Sequence, residues 1–205
     1  LLYPESSYTD QGIVRWYIHK YIDKLDISAG YLYDQVGSGI IFRAYQERPL
    51  LIDNALYGLR LQYELTPDWI VKGFTGTQKR QFDTYDAIIK GGSIEGFYAD
   101  SLGRFSIAPG FGTVARTFDD ETVGQVVSAI ATYTPVDSIG ANYNTYAFSL
   151  YNTLTAGNFS WYIEGAIKTA ETVFDPFAEK TNWNGTTSRG KLINEGGSIV
   201  YTSLS

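Results

Sequence analysis

Alternation of apolar and polar residues with a period of two constrains the fold of this chain more than any other feature. Over Ala55–Glu64, alternate positions carry Ala, Tyr, Leu, Leu and Tyr, and the positions between them carry Leu, Gly, Arg, Gln and Glu. Successive residues of a β-strand face opposite sides, so this stretch predicts a strand with one apolar and one largely polar side. The same design recurs in Gly12–Ile22, Leu25–Tyr33, Tyr146–Leu154 and Phe159–Lys168.

The rest of the chain is also rich in β-forming residues but alternates less regularly. The weaker strand candidates are Trp69–Thr77, Ala87–Tyr98, Arg104–Arg116 and Lys191–Ser203. Tight turn sequences such as Thr66-Pro67-Asp68 alternate with longer links, which predicts an antiparallel up-and-down sheet of about eight to ten strands. The longer links are expected near residues 35–53, 78–86, 117–143 and 172–190. No stretch has a convincing helical period, and we interpret Thr122–Tyr133 as a strand or as part of a long loop.

The kinds of residue on the two sides of these strands favour a transmembrane barrel over a soluble, lipocalin-like binding barrel. A soluble barrel usually presents a side rich in Lys and Glu to water, whereas charged residues make up only 19% of this chain. Aromatic residues make up 16%, and several lie near predicted strand ends, among them Tyr63, Trp69 and Trp161. Aromatic residues in such places suit the two interfacial girdles of an outer-membrane barrel. The soluble binding barrel stays open as the remote alternative.

Composition argues against several classes of function. The net charge is −6, so no basic surface is available to bind a nucleic acid. The chain has no Cys and one His, which argues against thiolate and multi-histidine sites, so we expect neither a metal nor a cofactor. His19 has no recognisable Ser or Asp partner motif, and we do not expect an enzyme. The acidic run at 119–121 is interpreted as a solvated turn, and no run of 18 apolar residues predicts a transmembrane helix.

A dense mixture of glycine, apolar and charged residues follows Gly37, where the chain reads GSGIIFRAYQERPLLIDNALYGLRLQYE. The block comprises Gly37, Ser38, Gly39, Ile40, Ile41, Phe42, Arg43, Ala44, Tyr45, Glu47, Arg48, Asp53, Asn54, Ala55 and Gly58. It resembles a motif of an uncharacterised, porin-like family of outer-membrane β-barrels from Bacteroidota, and Gly157–Lys168 is a looser second match. The resemblance implies a membrane barrel and brings no known substrate or catalytic residue.

Charged residues on the polar sides of the strands are the first candidates for a functional site. In a barrel these sides meet in the lumen, where the charges are expected to pair in a network that either plugs the lumen or lines a water channel. The candidate members of this lumen-facing network are Arg15, His19, Arg60, Glu64, Glu164 and Lys168. Lys72 and Glu195 lie on polar sides of weaker strands.

The segment 37–52 is the second candidate, as a loop that folds inward and constricts the lumen. Its apolar residues, including Phe42 and Leu50, are too numerous for a freely solvated loop. The charged residues of the constricting loop are Arg43, Glu47, Arg48 and Asp53. We expect Arg43 or Arg48 to pair with a carboxylate of the wall, because guanidinium groups bind carboxylates through two parallel hydrogen bonds.

The whole chain, residues 1–205, is expected to form a single β-barrel domain that is an incomplete fragment of a larger barrel. The first strand starts close to one end of the sequence, and the other end stops at Ser205 in a β-rich run without a terminal aromatic residue. Open strand edges cost several kcal/mol for each unpaired backbone group in lipid, so further strands must close the sheet.

The expected function is that of a structural subunit of a larger outer-membrane protein assembly for secretion or nutrient uptake. Its expected partners are the lipid bilayer and other outer-membrane proteins, and its expected location is the bacterial outer membrane. The alternative is a porin-like channel for small polar solutes.

Ser101 and Ser138 lie in short Asp-Ser-apolar sequences that resemble the O-glycosylation signal of Bacteroidota.

Overall fold

The computed structural model describes residues 15–50, 52–80 and 83–205. Within them the chain forms fourteen strands, one α-helix, α1 (Asp120–Ile130), and a 3₁₀ turn at Arg48–Leu50. The strands are β1 (Tyr17–Ile22), β2 (Leu25–Leu32), β3 (Asp34–Val36), β4 (Phe42–Ala44), β5 (Gln46–Glu47), β6 (Ile52–Asp53), β7 (Leu56–Thr66), β8 (Trp69–Arg80), β9 (Asp83–Gly96), β10 (Tyr98–Ala99), β11 (Ser106–Thr117), β12 (Asn144–Ala156), β13 (Phe159–Thr181) and β14 (Thr187–Leu204). The all-β fold class predicted from the alternation is confirmed.

Ten of the strands form one antiparallel sheet in which chain neighbours are mostly spatial neighbours. Its order is β1-β2-β7-β8-β9-β11-β12-β13-β14, with the short β10 paired to β11. This order confirms the predicted up-and-down connectivity. Two small hairpins, β3–β4 and β5–β6, interrupt the meander between β2 and β7. β1 and β14 are the two end strands of the sheet. No pairing joins them in the part of the chain that the structure describes. Residues 12–14 of the expected first strand lie outside that part.

The sheet has two faces of opposite character, and alternation along each strand sets them. We call the side that carries residues 34–53 the inner face and the opposite side the outer face. On β7 the outer-face residues are Tyr57, Leu59, Leu61 and Tyr63, which are 38–44% exposed. The inner-face residues Arg60, Gln62 and Glu64 are half-buried. The antiparallel register carries this division across the sheet, since residues opposite each other share a face, as Gln62 and Lys72 do.

Two of the expected long links are strands instead. β8 reaches Arg80 and β9 begins at Asp83, so the region 78–86 belongs mostly to a hairpin. Likewise β13 and β14 stay paired as far as Thr181 and Thr187, with irregularities in register between Lys168 and Glu171 and between Asp175 and Glu179. Such irregularities let a strand pair bend without ending, so the polar and glycine residues of 172–190 do not stop it.

The 117–143 connection contains α1, which corrects the expectation of a strand or loop at 122–133. The Asp119 carboxylate caps this helix by accepting hydrogen bonds from the backbone N–H groups of Glu121 and Thr122, at 3.0 and 3.1 Å. The acidic run is therefore a helix start, where negative charge favours the helix dipole. The first turns of the helix contain β-branched residues, which favour strands, so the local composition does not reveal it; these residues are Thr122, Val123, Val126 and Val127.

Among the described residues, no helix has the length and apolar character that a membrane span requires.

The main apolar core lies between the inner face and the segment 34–53. The sheet contributes Leu32, Leu56, Phe74, Val114 and Tyr151, and the segment contributes Val36, Phe42 and Ala44. Phe42 stacks on Phe74 with ring centroids 4.5 Å apart. The large apolar side chains of the outer face, such as Leu150 and Ile167, are exposed instead.

Candidate functional site on the inner face of the sheet

The described residues of the segment 34–53, which are 34–50, 52 and 53 and which we call the inserted segment, lie on the inner face and organise the candidate site. Val36 is 0% exposed, and Phe42 and Ala44 are also buried. On β4, exposed Arg43 lies between these two buried residues, so the alternation turns Phe42 and Ala44 towards the sheet. The first half of the segment therefore packs on the sheet rather than extending away from it.

Small residues of the inner face leave room for the inserted segment. A Cβ atom on Gly112 of β11 would lie 2.1 Å from Cγ1 of Val36, which no side chain can do without displacing its neighbour. Further along, Ala147 and Ala166 share an apolar cavity of about 290 Å³ with Ile40 and Ile41. The sheet and the segment are thus closely packed where Val36 meets Gly112, whereas a gap remains beside Ala147 and Ala166.

Lys72 of β8 fixes the start of the inserted segment. Its ammonium group donates to Asp34 Oδ1 at 2.7 Å and to the backbone oxygen of Gln35 at 2.8 Å. Arg60 of β7 lies 3.7 Å from the other oxygen of the same carboxylate. The Lys72 and Asp34 side chains are only 11% and 12% exposed. Removing one partner would leave the other charge largely buried, which is costly.

Glu164 of β13 holds the segment at a second point. This side chain is 0% exposed, and its Oε2 accepts hydrogen bonds from the Ser38 backbone N–H at 2.9 Å and from the Tyr162 hydroxyl at 2.5 Å. Gly37 has a φ of +56°, and a Cβ there would lie 2.8 Å from Oε1. Glycine is therefore required twice over at this position, by its backbone conformation and by the closeness of the carboxylate.

The remaining network candidates lie in separate groups on the inner face. His19 lies 3.0 Å from Asp26, and Arg60 approaches the same carboxylate at 3.8 Å. Glu64 accepts a hydrogen bond from the Tyr21 hydroxyl at 2.9 Å. The structure therefore brings His19 and Arg60 together through Asp26, a partner that the sequence reasoning did not name.

Arg15 and Lys168 lie apart from these groups. The guanidinium carbon of Arg15 lies 4.8 Å from the centre of the Tyr33 ring. Lys168 donates to Glu171 at 2.7 Å, and Glu171 also accepts from Arg116. The six predicted network residues therefore belong to several pairs rather than to one cluster.

The four candidates of the constricting loop also differ in their surroundings. Arg43 is exposed, and its guanidinium carbon lies 4.5 Å from the centre of the Tyr45 ring. Arg48 begins the exposed 3₁₀ turn, and Glu47 is half-buried. Neither arginine forms an ion pair within the described part of the chain, contrary to expectation. The reason for Arg43 is its parity, since it points away from the wall that Phe42 faces.

Within the part of the chain that the structure describes, Asp53 is the one member of this set that forms an ion pair. Its carboxylate accepts hydrogen bonds from the Lys79 ammonium group at 2.6 Å and from the Tyr33 hydroxyl at 2.9 Å. Partial burial raises the pKa of Asp53, but the hydrogen bonds from Lys79 and Tyr33 outweigh it and hold this pKa below its ordinary value. This pair anchors the far end of the inserted segment to β8.

Several residues of the site escaped the sequence reasoning. Asp34 and Tyr151 have no distinctive motif, and their roles depend on contacts across more than thirty residues of sequence, with Lys72 and Glu95. Tyr162 lies only two residues from Glu164, but its role follows from the contact of that carboxylate with Ser38. Tyr151, for example, donates to Glu95 Oε1 at 2.8 Å. Strand parity was the available signal, because it turns Tyr151 and Glu164 to the same face once their register is known.

A second set of polar contacts ties the 117–143 connection to the extended β13–β14 hairpin. Asp137 accepts hydrogen bonds from the Lys191 ammonium group and from the Thr181 backbone N–H, both at 2.6 Å. These bonds hold the pKa of Asp137 below its ordinary value. Trp183 donates to the Thr132 backbone oxygen at 3.2 Å.

The glycosylation candidates Ser101 and Ser138 are both exposed.

Acidic and histidine side chains do not gather into a metal site: no group of three or more that could hold an ion occurs among residues 15–50, 52–80 and 83–205.

Comparison with known proteins identifies the family. Residues 1–202 match the profile of DUF6029, a family of unknown function. The chain belongs to this family. No curated protein and no solved structure matches it significantly. The expectation of an uncharacterised family, drawn from the block that begins at Gly37, is therefore confirmed, and membership of DUF6029 assigns no activity.

Proposed function

We propose that this chain forms part of the wall of a β-barrel in a bacterial outer membrane. There it acts as a structural subunit of a larger assembly. The observation that supports this most is the inverted burial of the sheet. Large apolar residues such as Leu59 and Leu150 are exposed on the outer face, while Glu164 and Lys72 are covered on the inner face. A soluble sheet turns its apolar face inward, whereas a membrane barrel turns it to lipid.

Strand length and the cost of the opposite facing support the same proposal. β7 has 11 residues and β8 has 12, close to the roughly 9–11 residues that a tilted strand needs to cross a bilayer. With the faces reversed, Arg60 would meet hydrocarbon, at a cost of about 2–4 kcal/mol near the bilayer midplane. The resemblance of the Gly37 block to outer-membrane barrels of Bacteroidota is consistent with this location.

The inserted segment favours a scaffold over a wide channel. It covers the inner face with apolar side chains, Val36 and Phe42 among them, and is fixed to the wall at Lys72, Lys79 and Glu164. A lumen filled in this way holds the wall in one shape and leaves little free cross-section. Secretion and nutrient uptake are the assemblies in which we expect such a subunit, with lipid and other outer-membrane proteins as its partners.

A porin-like channel for small polar solutes is the second candidate, and one observation favours it. Two buried polar atoms between the inner face and the inserted segment, Asp34 Oδ2 and Arg60 Nε, have no hydrogen-bond partner among the described residues. Ordered water usually satisfies such atoms, so the inner face is expected to be wet. A wet inner face is what a conducting lumen requires.

The two candidates are separated by conductance and by assembly size. The full-length polypeptide is purified from outer membranes, its mass is measured on a native gel, and it is added to a planar bilayer. A stable complex without current steps supports the structural subunit, whereas a monodisperse protein with reproducible open-channel steps supports the channel. Recovery of the protein only in the soluble fraction, with no association with membranes, would contradict both.

A further inference from the structure

We propose that residues 34–44 form a releasable plug, seated on the wall by two clamps at Lys72 and Glu164, and that loss of both clamps opens an aqueous path along the inner face. This inference rests on the proposed membrane location and adds a moving part to it. The two clamps lie at separate strands, β8 and β13, and hold consecutive parts of the plug, Asp34–Gln35 and Ser38.

The first clamp is electrostatic. Lys72 binds a carboxylate and a backbone oxygen of the plug with one ammonium group, at 2.7 and 2.8 Å. Because this cation belongs to the wall and the anion belongs to the plug, the clamp contributes to seating without contributing to strand pairing. The Lys72 backbone pairs with Gln62 and Ser93 whether or not its side chain binds Asp34.

The second clamp is a wall carboxylate that binds plug backbone. Glu164 accepts the Ser38 N–H, and Tyr162 donates to the same oxygen. Gly37 lies against the other oxygen, Oε1, since a Cβ there would come within 2.8 Å of it. This clamp therefore holds the plug by its backbone at Ser38, and removing the Glu164 carboxylate removes the clamp without changing any residue of the plug.

The plug has the backbone for a hinge beside the second clamp. Gly37 and Gly39 both have positive φ, +56° and +94°, and flank Ser38. Beyond them, Ile40 and Ile41 border the apolar cavity of about 290 Å³ that they share with Ala147 and Ala166. The plug is thus tightly packed at Val36 and loosely packed at Ile40, so displacement is expected to start at the loosely packed end.

Thiol labelling tests the release directly, because the chain contains no Cys. Val36→Cys places a single thiol at a position with 0% exposure. The purified full-length protein is labelled with a water-soluble maleimide, alone and in combination with Lys72→Met and Glu164→Ala. Glu179→Ala with Lys180→Met serves as the matched control, since it removes the same two charges from the β13–β14 hairpin, away from the plug.

The proposal expects slow labelling in the Val36→Cys background and in the control. It expects labelling to be faster by about tenfold or more when both clamps are removed, which corresponds to ~1.4 kcal/mol of lost seating free energy. Circular dichroism and gel mobility without heating must remain those of the folded sheet. Unchanged labelling with an intact sheet overturns the proposal, and so does loss of the sheet together with the plug.

Conductance provides the second readout. In planar bilayers the clamp-free double variant is expected to show current steps that the control variant does not show. Labelling that rises without any current overturns the aqueous path. Because labelling is measured in detergent, it tests the plug even if the protein fails to insert in bilayers, a failure that would count against the proposed membrane location alone.

Discussion

Gly112 of β11 and Val36 of the inserted segment are complementary partners: a Cβ atom on the glycine would lie 2.1 Å from Cγ1 of the valine. The sheet therefore carries no side chain at the position where Val36 packs against it. Two residues 76 positions apart in the sequence are matched in size, which indicates that the segment and the sheet are closely packed at this point.

Gly112→Ala should weaken this packing. We expect a loss of about 1–3 kcal/mol in the free energy of unfolding, because an added methyl group in a filled space forces the backbone or Val36 to move. Gly73→Ala is the matched control, since a Cβ there meets nothing within 4 Å. Denaturant titration in detergent measures both variants. Equal stability of the two would mean that Val36 is not seated against β11.

The outer face should reject charge more strongly than the inner face. On the proposed membrane location, Leu59→Arg is expected to cost about 2–4 kcal/mol, because it would place a guanidinium in hydrocarbon. Gln62→Arg on the inner face of the same strand should cost much less, since Asp26 lies opposite it. Folding efficiency into lipid vesicles compares the two. A greater loss for Gln62→Arg would reverse the assignment of the faces.

The Asp53–Lys79 pair should make stability depend on pH in the acid range. Because the folded-state pKa of Asp53 is lowered, the pair contributes fully above the unfolded-state value of about 3.9 and its contribution is lost as the pH falls through the lower folded-state value. Asp53→Asn should cost about 1–3 kcal/mol at pH 7. That difference from the wild type should stay constant down to about pH 5 and shrink below about pH 4. A difference that instead changes between pH 6 and 8 would implicate another group.

Lys191→Met should free the 117–143 connection from the β13–β14 hairpin. The substitution removes the donor that lies 2.6 Å from Asp137 but leaves the strand pairing of Lys191 with Asp175 intact. Limited proteolysis should cleave the connection faster in this variant than in the wild type. Arg189→Met, whose partner Glu179 is 3.9 Å away and exposed, is the control and should not differ from the wild type.

The period-two pattern predicts most of the sheet, because each strand records in its own sequence which residues face which side. On β7 the apolar and the polar residues lie on opposite faces for this reason. The pattern fails where conformation depends on distant partners. The acidic residues at 119–121 begin a helix because Asp119 caps it, and residues 172–190 continue a hairpin because Val173 and Ile193 pair across it.

The candidate site could be predicted only in part, because several of its contacts also depend on residues that are distant in the sequence. Glu164 and Arg60 stand out as charges on otherwise polar strand sides, and parity gives their direction. The role of Ser38 is carried by its backbone N–H, which every residue except proline possesses, so its side chain gives no signal. The predicted ion pair of Arg43 is wrong because a charge in a loop suggests such a pair, whereas the position of Arg43 in its strand turns the side chain away from the sheet.

The inserted segment is continuous with β2 at one end and β7 at the other, and those strands pair with each other through eight residue pairs. Sheet formation has therefore already brought its two ends together, so reseating after a displacement carries no further cost of loop closure. Return of the proposed plug would be a first-order process, with a rate that does not depend on the concentration of the protein. A plug on a separate polypeptide would instead diffuse away after dissociation, and its rebinding would depend on its concentration.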